Sequence, residues 1–354
     1  MKGREHGLAP RRCGAPCPPS PAVLTYSSEF DDALKQEGGA PCPPSPAVPT
    51  LYFIGMTTGR SSIMKVFPRW SDVLGLGAQI VGYDAPIHAP QEAYETIVRH
   101  IVQGPLCKGA LVTTHKIDLL DATRDSFDYL DPYARLCGEV SCISKGEGGR
   151  LEGYAKDPIT SGLAWQAFVE PGHWGRTEGH VMCIGAGGAA VAISVYVAGL
   201  SDPVDRPHKF VVVNRSQPRL DRMRAVHAKL DTDIAFEYVL NRDPVRNDAL
   251  MAALPPGSMV INATGMGKDR PGSPITDRGV FPENGLVWEL NYRGKLDFKH
   301  QAERQAARRS LRVEDGWVYF LHGWSQVIAQ VFHLELTPAL FAELDKVASA
   351  IRSP

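Results

Sequence analysis

The stretch His180–Leu200, HVMCIGAGGAAVAISVYVAGL, constrains the chain more than any other. An apolar run, a glycine turn and a second run of small apolar residues read as strand, tight turn and helix. Gly185, Gly187 and Ala190 form GxGxxA where the strand ends and the helix opens. In a dinucleotide site the first glycine makes the turn, the second lets backbone approach a pyrophosphate, and the small third residue lets helix and strand pack. A purely structural glycine turn fits the same letters, so what surrounds the motif decides. KFVVVNRS, LDRMRAVHAKL, FEYVL, SMVINATGMG and GLVWELNY follow as strand, helix and three further strands. This alternation predicts a parallel, dinucleotide-binding sheet.

The end of the second strand bears on the cofactor. An acid there would hold the ribose hydroxyls of NAD. Here the strand ends Val213-Asn214-Arg215-Ser216, with Arg219 close behind. A guanidinium fork suits a 2′-phosphate, so NADP is expected and NAD is the alternative. Gly188 and Ala189 in the first turn, and Thr264 and Met266 in the INATGMG turn, complete the expected cofactor contacts.

Upstream, TLYFIGM, AQIVGYDAPI and GALVTT read as strands and PQEAYETIVRHIV as a helix. The fold class is therefore α/β, with an N-terminal α/β substrate domain and a Rossmann-type domain. ITSGLAWQAFV is apolar at helical spacing and is placed to bridge the two. Residues 50–165 are expected to form the first domain, 166–312 the second, and 313–354 a helical tail. Residues 1–49 differ in kind. GAPCPPSPAV occurs at Gly14–Val23 and again at Gly39–Val48, and that proline density forbids regular structure. A flexible extension is expected there, with one helical turn around Phe30–Lys35.

Composition narrows the function classes. Over 354 residues the net charge is −1, which excludes a general basic footprint for nucleic acid. Arg304, Arg308, Arg309 and Arg312 read as a solvated helix face. Seven cysteines without paired CxxC spacing argue against a zinc site and for reduced thiols, with Cys107, Cys137, Cys142 and Cys183 as buried small hydrophobes. No apolar run is long enough to span a bilayer, and no apolar segment follows Lys2, Arg4, Arg11 and Arg12. A cytoplasmic monomer or homodimer without membrane or metal is expected.

GALVTTHK presents a lysine, Lys116, where a buried strand should end. VTTHK, IGMTTGRSS, CGEVSCISKGEGGRLEGYAKD, GAGGAA, NRS, INATGMG, VWELNY and DGWVYFLHGW together, in order, resemble the shikimate/quinate dehydrogenase family over roughly Tyr52–Leu336. VTTHK resembles the pattern VTxPxK, and the CGEVSC and GYAKD segments resemble GAxNT and GxNTD. The resemblance implies an N-terminal domain for a cyclic polyhydroxy acid, a nicotinamide cofactor on the second domain, and a last helix that returns to the first. It also implies a Lys–Asp pair that handles the hydroxyl proton, here Lys116 and Asp157. A loop lysine and a helix-capping aspartate ahead of Pro158 are the plainer alternatives.

Departures from the pattern concern the substrate. Ungapped, VTxPxK puts Val112 at the threonine and Thr114 at the proline; with one residue lost, Thr113 is the threonine. Ser141 and Cys142 replace Asn-Thr, and Ala155-Lys156 replace the Asn-Thr before Asp157. Ser61 fits the first N-terminal serine, with Ile63 at the second unless Ser62 shifts. Gly323 replaces a glutamine, with His322 beside it and Gln326 a turn later. Ser61, Thr113, Ser141, Tyr292, His322 and Gln326 are the expected substrate contacts, and Arg60 and Lys156 are possible anion binders. The expected activity is reversible alcohol–ketone hydride transfer on a cyclic hydroxy or keto compound other than shikimate. The alternative is a ligand sensor that keeps the fold without turnover.

Overall fold

The computed structural model describes residues 42–268 and 270–352. The first copy of the proline-rich repeat and the helical turn expected at Phe30–Lys35 lie outside the described residues.

The first half begins with β1 (Thr50–Gly55), α1 (Ile63–Val73), β2 (Gln79–Asp84), α2 (Gln91–Gln103), β3 (Cys107–Val112) and α3 (Lys116–Thr123). It continues with β4 (Tyr129–Leu130), α4 (Pro132–Cys137), β5 (Cys142–Lys145) and β6 (Leu151–Tyr154). The sheet order is β2-β1-β3-β5-β6-β4. β1 is parallel to both neighbours, as alternation predicts. β5, however, is antiparallel to β3 and to β6. For the β5–β6 pair the reason is local: Gly148 and Gly149 take φ of +67° and +82°, reversing the chain within a few residues and leaving no room for a crossover helix. α1 was not legible as a helix, because Pro68 stands inside it. It nonetheless buries Ile63, Met64, Val66, Phe67 and Trp70.

The second half runs α5 (Asp157–Phe168), α6 (His173–Thr177), β7 (Val181–Ile184), α7 (Gly188–Ala198), β8 (Lys209–Asn214) and α8 (Gln217–His227). β9 (Ala235–Leu240), α9 (Pro244–Ala252), β10 (Met259–Asn262), β11 (Leu286–Glu289), α10 (Asp297–Arg309) and β12 (Arg312–Glu314) follow. The strands are ordered β12-β11-β10-β7-β8-β9 and every pairing is parallel. That is the doubly wound order, whose switch point between β7 and β10 places ligands at the carboxyl ends of the strands. The molecule is a two-domain α/β protein with a Rossmann-type second domain.

Two connections bring the sheets together. α5 carries Ala164, Trp165 and Phe168 into the core around β7, beside Val181 and Cys183. α11 (Trp317–Phe332) and α12 (Pro338–Ile351) pack on the first sheet, where Trp317, Leu321, Trp324 and Ile328 meet Leu51, Phe53, Phe67 and Trp70. Trp70 Nε1 donates to the Leu344 carbonyl at 2.8 Å, tying α12 to α1.

Cys107, Cys137, Cys142 and Cys183 are buried free thiols. Burial pushes the thiols of Cys137, Cys142 and Cys183 up to about 12, so they are inert at neutral pH. The arginine run is not one helix face, because Arg312 belongs to β12, where its guanidinium lies 5.4 Å from the Phe168 ring centroid. Among the described residues no helix is long and apolar enough to cross a membrane, and no side-chain cluster could hold a metal ion.

Candidate active site

Lys116 is the first residue of α3 and Asp157 the first of α5, and Lys116 Nζ donates to Asp157 Oδ2. Both side chains are largely shielded, at 16% and 18% exposure. Burial works against the ammonium, but the carboxylates of Asp157 and Glu139 outweigh it and hold Lys116 above the ordinary lysine value. Asp157 is therefore not the cap of α5; Lys156 holds that position, leaving the carboxylate at the positive end of the helix dipole, where it is stabilised.

The approach to Lys116 explains the broken sequence pattern. Thr114 has φ of +59°, a left-handed value that a proline ring forbids. The loop therefore turns by a route other than VTxPxK. Thr113 donates its N–H to the Ile54 carbonyl at 2.9 Å, and His115 is buried with Nδ1 3.0 Å from Tyr94 Oη.

The glycine turn stands close to the pair. A Cβ at Gly188 would lie 3.3 Å from Glu139 Oε2 and 4.0 Å from Lys116 Nζ. Gly185 has φ of +126°, and a Cβ there would meet the Ala263 carbonyl oxygen at 2.5 Å, so only glycine fits. At Gly187 a Cβ would meet nothing within 4 Å, which leaves the turn open to a ligand backbone. A cleft of about 550 Å³ opens from it, lined by Gly185, Gly187, Asn214, Arg215, Ser216, Arg219, Thr264 and Met266, all expected from sequence. Gly188 and Ala189 belong to α7 and are not in this lining. The lining adds Arg242 and Arg270, which sequence reasoning missed, and among the described residues it contains no carboxylate. Asn214 Oδ1 accepts the Ser216 N–H at 2.8 Å and shapes the turn that presents Arg215. Beneath the INATGMG turn, buried Glu289 accepts from Asn262 and Asn291, at 2.8 and 2.7 Å. Burial pushes its carboxyl up to about 7.

The expected substrate contacts occupy several local environments. Ser141 is buried, and its hydroxyl accepts the Lys156 N–H at 2.8 Å. It braces the segment that carries Asp157. His322 stacks on Phe341 at 4.2 Å between centroids, and burial takes its imidazole down to about 4. Tyr292 is half-buried against Phe320 and Trp317. Gln326 and Lys156 line a separate recess of about 310 Å³ with Gln330 and His333. Lys156 Nζ donates to Gln330 Oε1 at 2.7 Å and lies 4.5 Å from the Tyr154 ring centroid. Ser61 is half-buried at the end of the Thr58–Arg60 turn, Arg60 is exposed, and Ile63 is wholly inside the core. Thr58 N–H donates to Asp84 Oδ1 at 2.8 Å and fixes this turn. Two residues near the pair went unread: Glu139, only 4% exposed, and Tyr319 of α11, whose hydroxyl is held up by burial and by the charges of Asp157 and Glu139. An acid inside the apolar stretch Cys137–Cys142 was the available signal for the first.

No protein-family model matches the chain. A shikimate dehydrogenase (NADP+) of Symbiobacterium thermophilum is 27% identical over 254 residues, 70% of this chain and 76% of the relative. A shikimate dehydrogenase (NADP+) of Methylobacterium radiotolerans is 26% identical over 282 residues, 77% and 88% of the two chains. Among solved structures, a shikimate dehydrogenase in complex with NADP+ superposes with TM-score 0.64 at 18% identity, covering 86% of this chain and 96% of that one. Quinate dehydrogenase from Corynebacterium glutamicum, in complex with NAD, gives TM-score 0.63 at 16% identity over 86% and 99%. Fold and site thus define a two-domain α/β protein with a dinucleotide-binding second domain. Within that class the chain is similar to shikimate and quinate dehydrogenases.

Proposed function

We propose that the protein is an NADP(H)-dependent oxidoreductase that interconverts an alcohol and a ketone on a cyclic polyhydroxy acid or related compound. The observation that carries this reading is the shielded Lys116–Asp157 pair beside Gly188, at the mouth of the nucleotide helix. The open turn at Gly187 and the cleft leading from it fit a dinucleotide. Arg215, Arg219 and Arg242 around it fit a 2′-phosphate, which favours NADP over NAD. When bound, the nicotinamide supplies or accepts the hydride. Lys116 handles the proton. As its ammonium it protonates the ketone oxygen while negative charge develops there, and as the neutral amine it takes the hydroxyl proton in the reverse direction. Asp157 fixes the direction of Nζ, and the shielding of both groups excludes competing water.

Shikimate itself fits poorly. Ser141 has its hydroxyl committed to backbone, Ile63 is core, and Ala155 and Gly323 carry no polar group. A site lacking these groups leaves the matching hydroxyls and carboxylate of a ligand unpaired. The test is a turnover screen over cyclic hydroxy acids, polyols and their ketones with both nicotinamide cofactors. Turnover that depends on Lys116 and favours NADP(H), with shikimate a poor substrate, is expected. Ligand binding without Lys116-dependent turnover would instead make the chain a sensor.

A further inference from the structure

Glu139 has no part in the Lys–Asp pair that the resemblance implied, and the pattern GAxNT has alanine at its place. Its carboxyl is almost wholly buried, yet it faces the reaction site rather than the core. The position of a Cβ over Gly188 has Glu139 Oε2 at 3.3 Å and Lys116 Nζ at 4.0 Å. Lys116 thus bonds to one carboxylate from α5 and shares the space over Gly188 with another, from the loop between α4 and β5. We infer that Glu139 is a positioning residue that, together with Asp157, holds Lys116 as an ammonium ion against the N-terminus of the nucleotide helix.

The surrounding charges agree with this. Lys116 feels Asp157, Glu139 and the Cys137 thiol; Glu139 feels Lys116, Asp157 and Arg222. Arg222 Nη2 reaches the Cys137 carbonyl at 3.3 Å and so stands behind Glu139 from α8. Tyr319 of α11 feels both carboxylates. The cluster holds two cations and two carboxylates, which balances a second buried acid. Burial pushes Glu139 above the usual carboxylate range while Lys116 pulls it back. Ionised Glu139 keeps the proton on Nζ. The device favours proton donation, the role of Lys116 in ketone reduction, and delays the amine form that alcohol oxidation needs. This role in the reaction rests on the dehydrogenase reading above, but the effect on Lys116 does not.

The test is an NMR titration of isotope-labelled lysine side chains in the full chain without ligand, Lys116 being assigned by its loss in Lys116→Met. In Glu139→Gln the Lys116 midpoint is expected to fall by about one pH unit, as removal of a nearby opposite charge from a shielded site requires. An unmoved midpoint in folded Glu139→Gln overturns the inference. If that variant does not fold, Glu139→Asp, which withdraws the charge by one methylene, is expected to lower the midpoint by less, and an unmoved midpoint there overturns it equally. A wild-type protein with no NADP(H)-dependent turnover would overturn the dehydrogenase reading while leaving this titration as it is.

Discussion

Lys116 Nζ meets Asp157 Oδ2 at the point where α3 and α5 both begin. The carboxylate gains from its helix dipole, whereas the ammonium sits at the wrong end of its own. Partial burial adds a further cost for the ammonium. Asp157 and Glu139 outweigh both costs and keep the ammonium form favoured.

The cofactor assignment makes Arg215 discriminating. Arg215→Ala is expected to weaken NADP by roughly 10- to 100-fold, the loss of a charge-assisted hydrogen bond. NAD binding should change little. Calorimetric titration of both cofactors checks this, and equal losses would remove the 2′-phosphate assignment.

Ser141 separates bracing from substrate binding. Its hydroxyl accepts the Lys156 N–H in a buried place, so Ser141→Ala leaves that donor unpaired. A loss of about 1–3 kcal/mol in denaturant unfolding is expected. In the folded variant KM should stay near the wild-type value.

His322 governs part of the acid response. Burial takes its folded value to about 4, below the ordinary 6.5 of a histidine. The neutral form therefore contributes stability that is present above pH 6.5 and lost as pH falls through about 4. Thermal unfolding from pH 7 to 4 should show a smaller drop in Tm for His322→Leu than for wild type. An unchanged slope would mean that His322 titrates normally.

The parallel second sheet, its glycine turn and its arginine-bearing strand end were legible because each rests on local residue chemistry. Gly185 favours glycine through its own backbone, with φ of +126°, and the distant Ala263 carbonyl adds a second reason. The β5–β6 hairpin was missed because short strands with an interposed GEGG carry little periodicity. The surroundings of the expected substrate contacts were the least legible. Ser141, Tyr292 and His322 are polar or aromatic in the right segments, but partners far along the chain decide where they point. Lys156, Phe320 and Phe341 are those partners, and no spacing rule reveals them. Glu139 shows the same limit from the other side: its neighbours Lys116, Asp157 and Gly188 come from separate elements.

The most direct test of the account is turnover by wild type and Lys116→Met, followed through NADPH consumption on cyclic ketones and NADPH formation on the matching alcohols. Wild type is expected to turn over at least one such pair. Lys116→Met should lose about 10²- to 10⁴-fold in kcat while still binding NADP, the usual range for a missing general acid–base. A variant as fast as wild type, or a wild type inert on every cyclic compound with either cofactor, would contradict the account.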